Sequence, residues 1–246
     1  MTGYAKPPVI EAMIELVPVE RFSDREMQRV AKKLEGKYSR LEELADYDVQ
    51  IRVYGKSATP EISSRREWYR LFSADGADVA IVNRKSFVAS RLAPYTHWHY
   101  LLSNFERNLD IMEKITGVRQ WERMGVRYIN RIDVPSQTGD PVDIKEYLNI
   151  YPAAPSFLSE NWAAEATRLE VSDQETGMLV IVNCVRSDPV LLKHQSLILD
   201  IDIVENRDIP LKRELLMDKF ALTQQLKNKV FESLITDKSR TLFNAK

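Results

Sequence analysis

The chain has 246 residues, of which 44% are hydrophobic and 29% charged, a composition typical of a soluble globular protein with a substantial core. Lysines and arginines number 35 and aspartates and glutamates 36. The formal net charge of −1 therefore excludes a global electrostatic attraction to nucleic acid or to an anionic membrane, while a local basic patch stays open. The single cysteine, Cys184, excludes an intrachain disulfide and is most simply a small core residue.

The sequence contains no signal for a membrane or an export pathway. No apolar run approaches the roughly 20 residues that cross a bilayer. The N-terminus lacks the basic and apolar regions of a signal peptide. A lone cysteine also fits a reducing compartment. These features predict a cytoplasmic protein without a membrane partner.

The first half of the chain, residues 1–118, is predicted to contain a strand, a helix, a run of strands and a long helix. Ser23 and Glu26 favour a helix start. Asp75-Gly76 is a tight-turn signal between two strands, and Gly117 favours the end of the long helix. The predicted elements are strands at 9–17, 48–54, 68–73, 78–83 and 86–92, helices at 24–35 and 96–116, a short helical turn at Leu41 and Leu44, and a polar connector at 60–66.

The second half, residues 119–246, begins with the most distinctive stretch of the sequence, the alternating segment 125–134, which predicts an interior strand. A strand sends successive side chains to opposite faces. One face is expected to carry Arg127, Ile129, Arg131 and Asp133, and the other Val126, Tyr128, Asn130, Ile132 and Val134. The remaining predicted elements are a short helix at 142–150 opened by Asp140-Pro141, an irregular stretch at 152–159, a hairpin of strands at 164–172 and 177–185, a strand at 195–204 and a helical region from Pro210.

The order of elements is similar in both halves: a strand, a helix, three or four strands and a long helix. This order predicts an α+β fold of two βαβ(3-4)α halves that form one compact unit, with an antiparallel sheet covered by the long helices. The order resembles the duplicated units of TATA-binding-protein-like and helix-grip folds, a likeness that carries no function. Helical spacing predicts that the core residues of the long helices are Trp98, Phe105, Leu109, Phe220, Leu226 and Phe231.

The segment before the first long helix, residues 90–98, contains side chains that suit a pocket for an anion or a base. Arg91, Tyr95 and His97 would line such a pocket together with Trp98. The alternative is structural: Pro94 ends the strand, and Tyr95 packs against Trp98. The structural alternative is favoured for Trp98, whereas Arg91 and Tyr95 remain candidates for contact with a ligand or partner.

Charged and aromatic residues on the predicted strands form the second candidate set. The candidates are Arg127, Tyr128 and Arg131 for contact with a ligand or partner, and Asp133, Asp200 and Asp202 for a metal ion. Alternating aspartates and arginines on a sheet face more often form cross-strand ion pairs. We therefore expect at least one Arg–Asp contact between the central strand and the strand at 197–204, with a structural role.

Zinc chemistry and the common catalytic motifs are not predicted. His97 and His99 are two residues apart on a predicted helix, so their side chains point to different faces, and the only other histidine is His194. The sequence has no Gly-x-Ser-x-Gly elbow, P-loop, His-Glu-x-x-His motif or dinucleotide-binding glycine pattern. Neither a cofactor nor a catalytic residue is predicted.

Four segments resemble an uncharacterised, sporadically distributed bacterial family of hypothetical proteins of about 250 residues. They are Pro-Pro-Val-Ile-Glu-Ala at 7–12, Arg-Leu-Ala-Pro-Tyr-Thr-His-Trp at 91–98, Gly-Val-Arg-Tyr-Ile-Asn-Arg at 125–131, and Phe-Glu-Ser-Leu-Ile-Thr-Asp at 231–237. The patchy occurrence of that family implies an accessory gene module, associated with mobile elements or defence. The resemblance brings no activity and no catalytic residue.

Three functional hypotheses follow. The first is a non-enzymatic binding or regulatory protein that acts through protein–protein contact, because catalytic motifs are absent and the charge is balanced. The second is a nucleic-acid-binding protein that uses a curved sheet face with Arg52, Arg127, Tyr128 and Arg131. The third is a phosphate-processing enzyme in which the three candidate aspartates hold a metal ion.

Overall fold

The computed structural model describes residues 4–54, 57–136, 142–152 and 166–244, with 45–54 and 57–67 described as backbone only. It contains one nine-stranded sheet and, in the described residues, four α-helices. The strands are β1 (Val9–Pro18), β2 (Arg40–Tyr54), β3 (Ser57–Phe72), β4 (Asp78–Asn83), β5 (Phe87–Leu92), β6 (Trp121–Pro135), β7 (Ala166–Ser172), β8 (Leu179–Ser187) and β9 (His194–Glu205). The helices are α1 (Asp24–Leu34), α2 (Trp98–Thr116), α3 (Arg213–Leu234) and α4 (Asp237–Asn244), and short 3-10 turns lie at Glu35–Lys37 and Ile144–Glu146.

The strands follow the order β2-β3-β4-β5-β1-β6-β9-β8-β7, and every neighbouring pair is antiparallel. β6 therefore lies inside the sheet, as predicted, between β1 and β9. Burial alternates along β6: Val126 and Tyr128 are buried, whereas Arg127 and Ile129 are partly exposed. The predicted assignment of residues to the two faces of this strand is confirmed.

The predicted division into two βαβ(3-4)α halves is wrong. β1 and β6, the strands that would begin the two halves, pair with each other in the middle of a single continuous sheet. The segment at 142–150 forms only a 3-10 turn and an isolated bridge between Leu148 and Ile235. Beyond the bonds of that turn, its backbone bonds to the end of α3 and the residues after it, since Asn149 N donates to Leu234 O and Thr236 N to Tyr147 O. The likeness to duplicated folds is not supported either.

Two further expectations in the first half are also corrected. Leu41 and Leu44 belong to β2, where they pair with Leu71 and Trp68 of β3, and not to a helical turn. The predicted connector at 60–66 is part of β3. β4 pairs with residues 68–72 of β3, and within the described part of the chain no third strand pairs with the outer part of the β2–β3 hairpin on that side.

The predicted helix start at Asp140-Pro141 and most of the irregular stretch at 152–159 lie outside the described residues.

The helices pack on one face of the sheet and supply much of the core. α1 begins with the reciprocal pair of Ser23 and Glu26, in which the Ser23 hydroxyl accepts from Glu26 N and the Glu26 carboxylate accepts from Ser23 N. The six predicted core residues of the long helices are all buried, which confirms that prediction, and Cys184 is buried as well. None of the described helices combines the length and the apolar character needed to cross a membrane.

Candidate functional site

The candidate residues from the sequence fall in three separate places. Tyr128 lies on the helix-covered face of β6, where its hydroxyl is 2.8 Å from that of Tyr95. Arg127 and Arg131 point to the opposite face. Arg91 belongs to a separate cluster on β5. The structure therefore brings together Tyr95 and Tyr128 but not the complete predicted set.

Arg91 is bound within the chain. Its guanidinium lies 3.1 Å from a carboxylate oxygen of Asp78 and 3.3 Å from one of Asp75, and Nε donates to the Pro94 carbonyl over 3.2 Å. The group also rests over the ring of Tyr100, 5.5 Å from its centroid. These contacts tie β4 and the turn before it to the segment that enters α2, so Arg91 is a structural residue in this arrangement.

The outer face is the sheet face turned away from α1, α2 and α3. It carries Glu15 of β1, Arg123, Arg127, Arg131 and Asp133 of β6, and Asp200 and Asp202 of β9. Arg127 donates from Nε and Nη2 to the two carboxylate oxygens of Asp200, each over 2.8 Å. Arg123 lies 2.7 Å from Asp202 and also pairs with Glu15. The predicted Arg–Asp contact between β6 and the neighbouring strand is therefore confirmed.

The remaining groups of the outer face are paired as well. Arg131 donates to Asp133 on its own strand over 3.1 Å, and the Ser196 hydroxyl donates to the same carboxylate over 2.6 Å. The hydrogen bonds with Asp200 raise the pKa of Arg127, and burial raises the pKa of Asp202. Among the described residues no cluster of three His, Cys, Asp or Glu side chains could hold a metal ion. The side chain of Arg52, the fourth residue of the nucleic-acid hypothesis, lies outside those described.

Removing one partner of the Arg127–Asp200 pair is expected to destabilise the protein. The Asp200 side chain is only 9% exposed, so Arg127→Ala leaves a largely desolvated carboxylate with Asn183 as its remaining donor, at a cost of about 1–3 kcal/mol. Arg131→Ala should cost less, about 1 kcal/mol or below, because Asp133 keeps the Ser196 hydroxyl.

Urea denaturation of both variants and of the milder Arg131→Lys measures these differences. Lysine keeps the positive charge, so Arg131→Lys should lose less stability than Arg131→Ala. An Arg127→Ala protein that unfolds at the same urea concentration as the wild type would contradict the structural role of the pair.

A cavity of about 460 Å³ lies on the helix-covered side, between the N-terminal segment, the start of α2, β6 and α3. We call it the Lys227 cavity. Its lining consists of Tyr4, Pro7, Tyr95, Thr96, His97, Trp98, His99, Tyr128, Ala221, Gln224, Gln225, Lys227 and Asn228. Three of the four segments that carry the family resemblance contribute to it, although they are far apart in the sequence.

Lys227 is the unusual member of this lining. It is fully buried, and its amino group has no hydrogen-bond partner in the described residues. Nζ lies 3.8 Å from the ring centroid of Tyr128 and 5.9 Å from that of Phe231. Burial lowers the pKa of Lys227 to about 7, because a buried ammonium loses its hydration. The side-chain oxygen of Asn228 also lacks a partner in the described residues.

The two tyrosines beside Lys227 are neutral hydrogen-bonding groups at neutral pH. Burial raises the pKa of Tyr95 to about 12 and that of Tyr128 well above its ordinary value. One hydroxyl donates to the other, so the pair retains one hydroxyl hydrogen for a further acceptor. The cavity thus combines aromatic walls with an amino group and a hydroxyl donor.

Lys227 is not among the residues predicted from the sequence, although a lysine within the apolar stripe of a helix is unusual. The buried residues of α3 include Phe220, Thr223, Lys227 and Phe231, which follow each other at spacings of three or four. This spacing places them on one helical face. A lysine within an apolar stripe is costly unless it has a partner or a ligand, and that anomaly could have identified the site.

Comparison with known proteins gives no assignment: no protein-family model matches the chain, and no curated protein matches it.

Proposed function

We propose that the protein is a binding protein whose ligand is a small molecule held in the Lys227 cavity. The observation that supports this proposal is Lys227, a residue of the lining of a cavity of about 460 Å³, whose amino group is buried and lacks a partner in the described residues. Ligand sites in proteins are typically cavities of this size that combine aromatic walls with a few polar groups.

A purely structural lysine is the competing explanation. Its amino group gains a cation–π contact with Tyr128, which offsets part of the desolvation cost. A methionine would fill a similar space without that cost. Functional sites typically retain buried polar groups beside a cavity even though these groups lower the free energy of unfolding.

Ligands of the cavity are expected to raise the melting temperature of the wild type and to lose this effect in Lys227→Met. A ligand present at 100 times its Kd stabilises the native state by about 2.7 kcal/mol, a shift that thermal denaturation detects easily. The measurement is a thermal-shift screen of small acids, amides, amines and sugars against both proteins.

The matched control is Lys229→Met, because Lys229 is an exposed residue of the same helix. This variant should respond to each compound as the wild type does. The proposal fails if no compound stabilises the wild type, or if every stabilising compound acts equally on Lys227→Met.

Contact with a partner protein through the outer face is the second candidate function. A cleft of about 700 Å³ lies at one edge of that face and is lined by side chains of both signs, among them Glu15, Arg21, Arg84, Glu122 and Arg123. Mixed signs complement a protein surface, whereas a nucleic acid would meet carboxylates as well as guanidinium groups. The accessory gene module implied by the family resemblance stays a prediction.

The nucleic-acid and metal-enzyme hypotheses have less support in this arrangement. A phosphate that approached Arg127 would compete with the carboxylate of Asp200, which already accepts two hydrogen bonds from it. A metal ion at Asp200 or Asp202 would likewise displace bound arginines. The Lys227 cavity requires no such exchange, because its amino group has no competing partner among the described residues.

A further inference from the structure

We infer that the ligand of the Lys227 cavity is an aromatic carboxylate and that it binds together with a proton on Lys227. This inference rests on the proposed function and specifies the ligand class and the pH dependence of the same site. It follows from the charge, the walls and the protonation state of the cavity.

The single positive charge of the Lys227 ammonium favours a ligand with one negative charge. Lys227 is the only lysine or arginine among the described residues that line the cavity. The carboxylate that acts on it electrostatically is Glu232, whose two oxygens each lie 2.9 Å from the donating Tyr4 hydroxyl and which also pairs with Arg240. One carboxylate would neutralise one ammonium, whereas a phosphate dianion would bring a second charge without a second cation.

The walls of the cavity favour a flat ring. Four aromatic side chains line it, namely Tyr4, Tyr95, Trp98 and Tyr128. Aromatic rings stack or pack edge to face, as Tyr95 and Tyr128 do here at 5.5 Å and 73°. The spare hydroxyl hydrogen of that pair is a donor for a carboxylate oxygen, so Lys227 and the tyrosines can hold the same group.

The protonation state of Lys227 couples binding to pH. Among the residues that the structure describes, the other titratable groups that line the cavity or act on Lys227 are Tyr4, Tyr95, His97, His99, Tyr128 and Glu232. With a pKa of about 7, Lys227 is increasingly neutral above pH 7 when the cavity is empty. A bound carboxylate requires the ammonium form. The affinity should therefore be nearly constant below pH 7 and fall by about tenfold from pH 8 to pH 9, because each binding event must first add a proton.

Isothermal titration calorimetry with phenylacetate and indole-3-acetate tests the inference. Titrations at pH 8 in Tris and in Hepes, whose ionisation enthalpies differ, count the protons exchanged. We expect an uptake of about 0.9 proton for each carboxylate bound by the wild type and by Lys229→Met. Lys227→Met, confirmed as folded by circular dichroism, should lose the carboxylate affinity and the proton uptake, which separates Lys227 from His97 and His99.

The neutral isostere phenylacetamide separates this inference from the proposed function. If the amide binds as tightly as phenylacetate without proton uptake, the cavity is a ligand site but not a carboxylate site. The same conclusion holds if inorganic phosphate binds more tightly than either acid. If neither acid nor the amide binds and the broader screen also finds no ligand, both the inference and the proposed function fail.

Discussion

Lys227→Met is expected to stabilise the protein at pH 7 by on the order of 4 kcal/mol. The pKa of Lys227 is lowered from 10.5 to about 7 in the folded chain because burial desolvates the ammonium. The unfolded chain therefore binds more protons than the folded one between pH 7 and pH 10.5. The unfolding free energy of the wild type should rise with pH across this window and change little on this account below pH 7.

The pH dependence of the unfolding free energy distinguishes Lys227→Met from its control. The stability advantage of Lys227→Met should be full at pH 6, shrink from pH 7 upward and vanish above pH 10.5, where the lysine is neutral in both states. Lys229→Met removes an exposed amino group on the same helix and should stay within about 0.5 kcal/mol of the wild type at every pH. Urea denaturation from pH 6 to pH 10 measures all three proteins.

A loss of stability in Lys227→Met at pH 6 would contradict the structural basis of the proposed site. It would mean that the ammonium makes a favourable contact worth more than its desolvation. The cation–π contact with Tyr128, worth about 2 kcal/mol when desolvated, would reduce this advantage without reversing it, because the lowered pKa of Lys227 corresponds to about 4 kcal/mol at pH 7.

Local patterns predicted most elements of the fold, with exceptions at Leu41 and Leu44, at 60–66 and at 142–150, but not how those elements combine. Alternation identified β6, and helical spacing identified α2, because one face of each element must be buried whatever its neighbours are. The pairing of β1 with β6 joins residues more than 100 positions apart, such as Ile14 and Val126. No local pattern encodes such a neighbour. The order of elements was therefore compatible with two repeated halves as well as with the single sheet.

The candidate site shows the same limit. The Arg127–Asp200 contact was accessible to prediction because each residue lies on a strand with clear alternation and opposite charges attract across a sheet. The meeting of Tyr95 with Tyr128 and Lys227 depends on how α3 packs over β6, which the sequence pattern leaves open. Lys227 itself was visible only as a charged residue within an apolar stripe.

Phe105→Ala is expected to cost about 3–5 kcal/mol of unfolding free energy, because it removes a fully buried ring and leaves a cavity. The ring lies 6.0 Å from that of Phe87 and 5.2 Å from that of Phe220, so it joins β5, α2 and α3. Loss of these aromatic contacts adds to the loss of buried area. Thermal and urea denaturation should both show the change.

The comparison variants for Phe105 are Phe105→Leu and Lys114→Ala. Leucine retains much of the buried volume, so its cost should be clearly smaller than that of alanine. Lys114 is an exposed residue in the last turn of α2, and its removal should change stability by no more than about 0.5 kcal/mol. If Phe105→Ala melts at the wild-type temperature, α2 does not pack against β5 and α3 in this way. The wall of the Lys227 cavity formed by the start of α2 would then be misplaced as well, because Trp98 and His99 belong to the same helix.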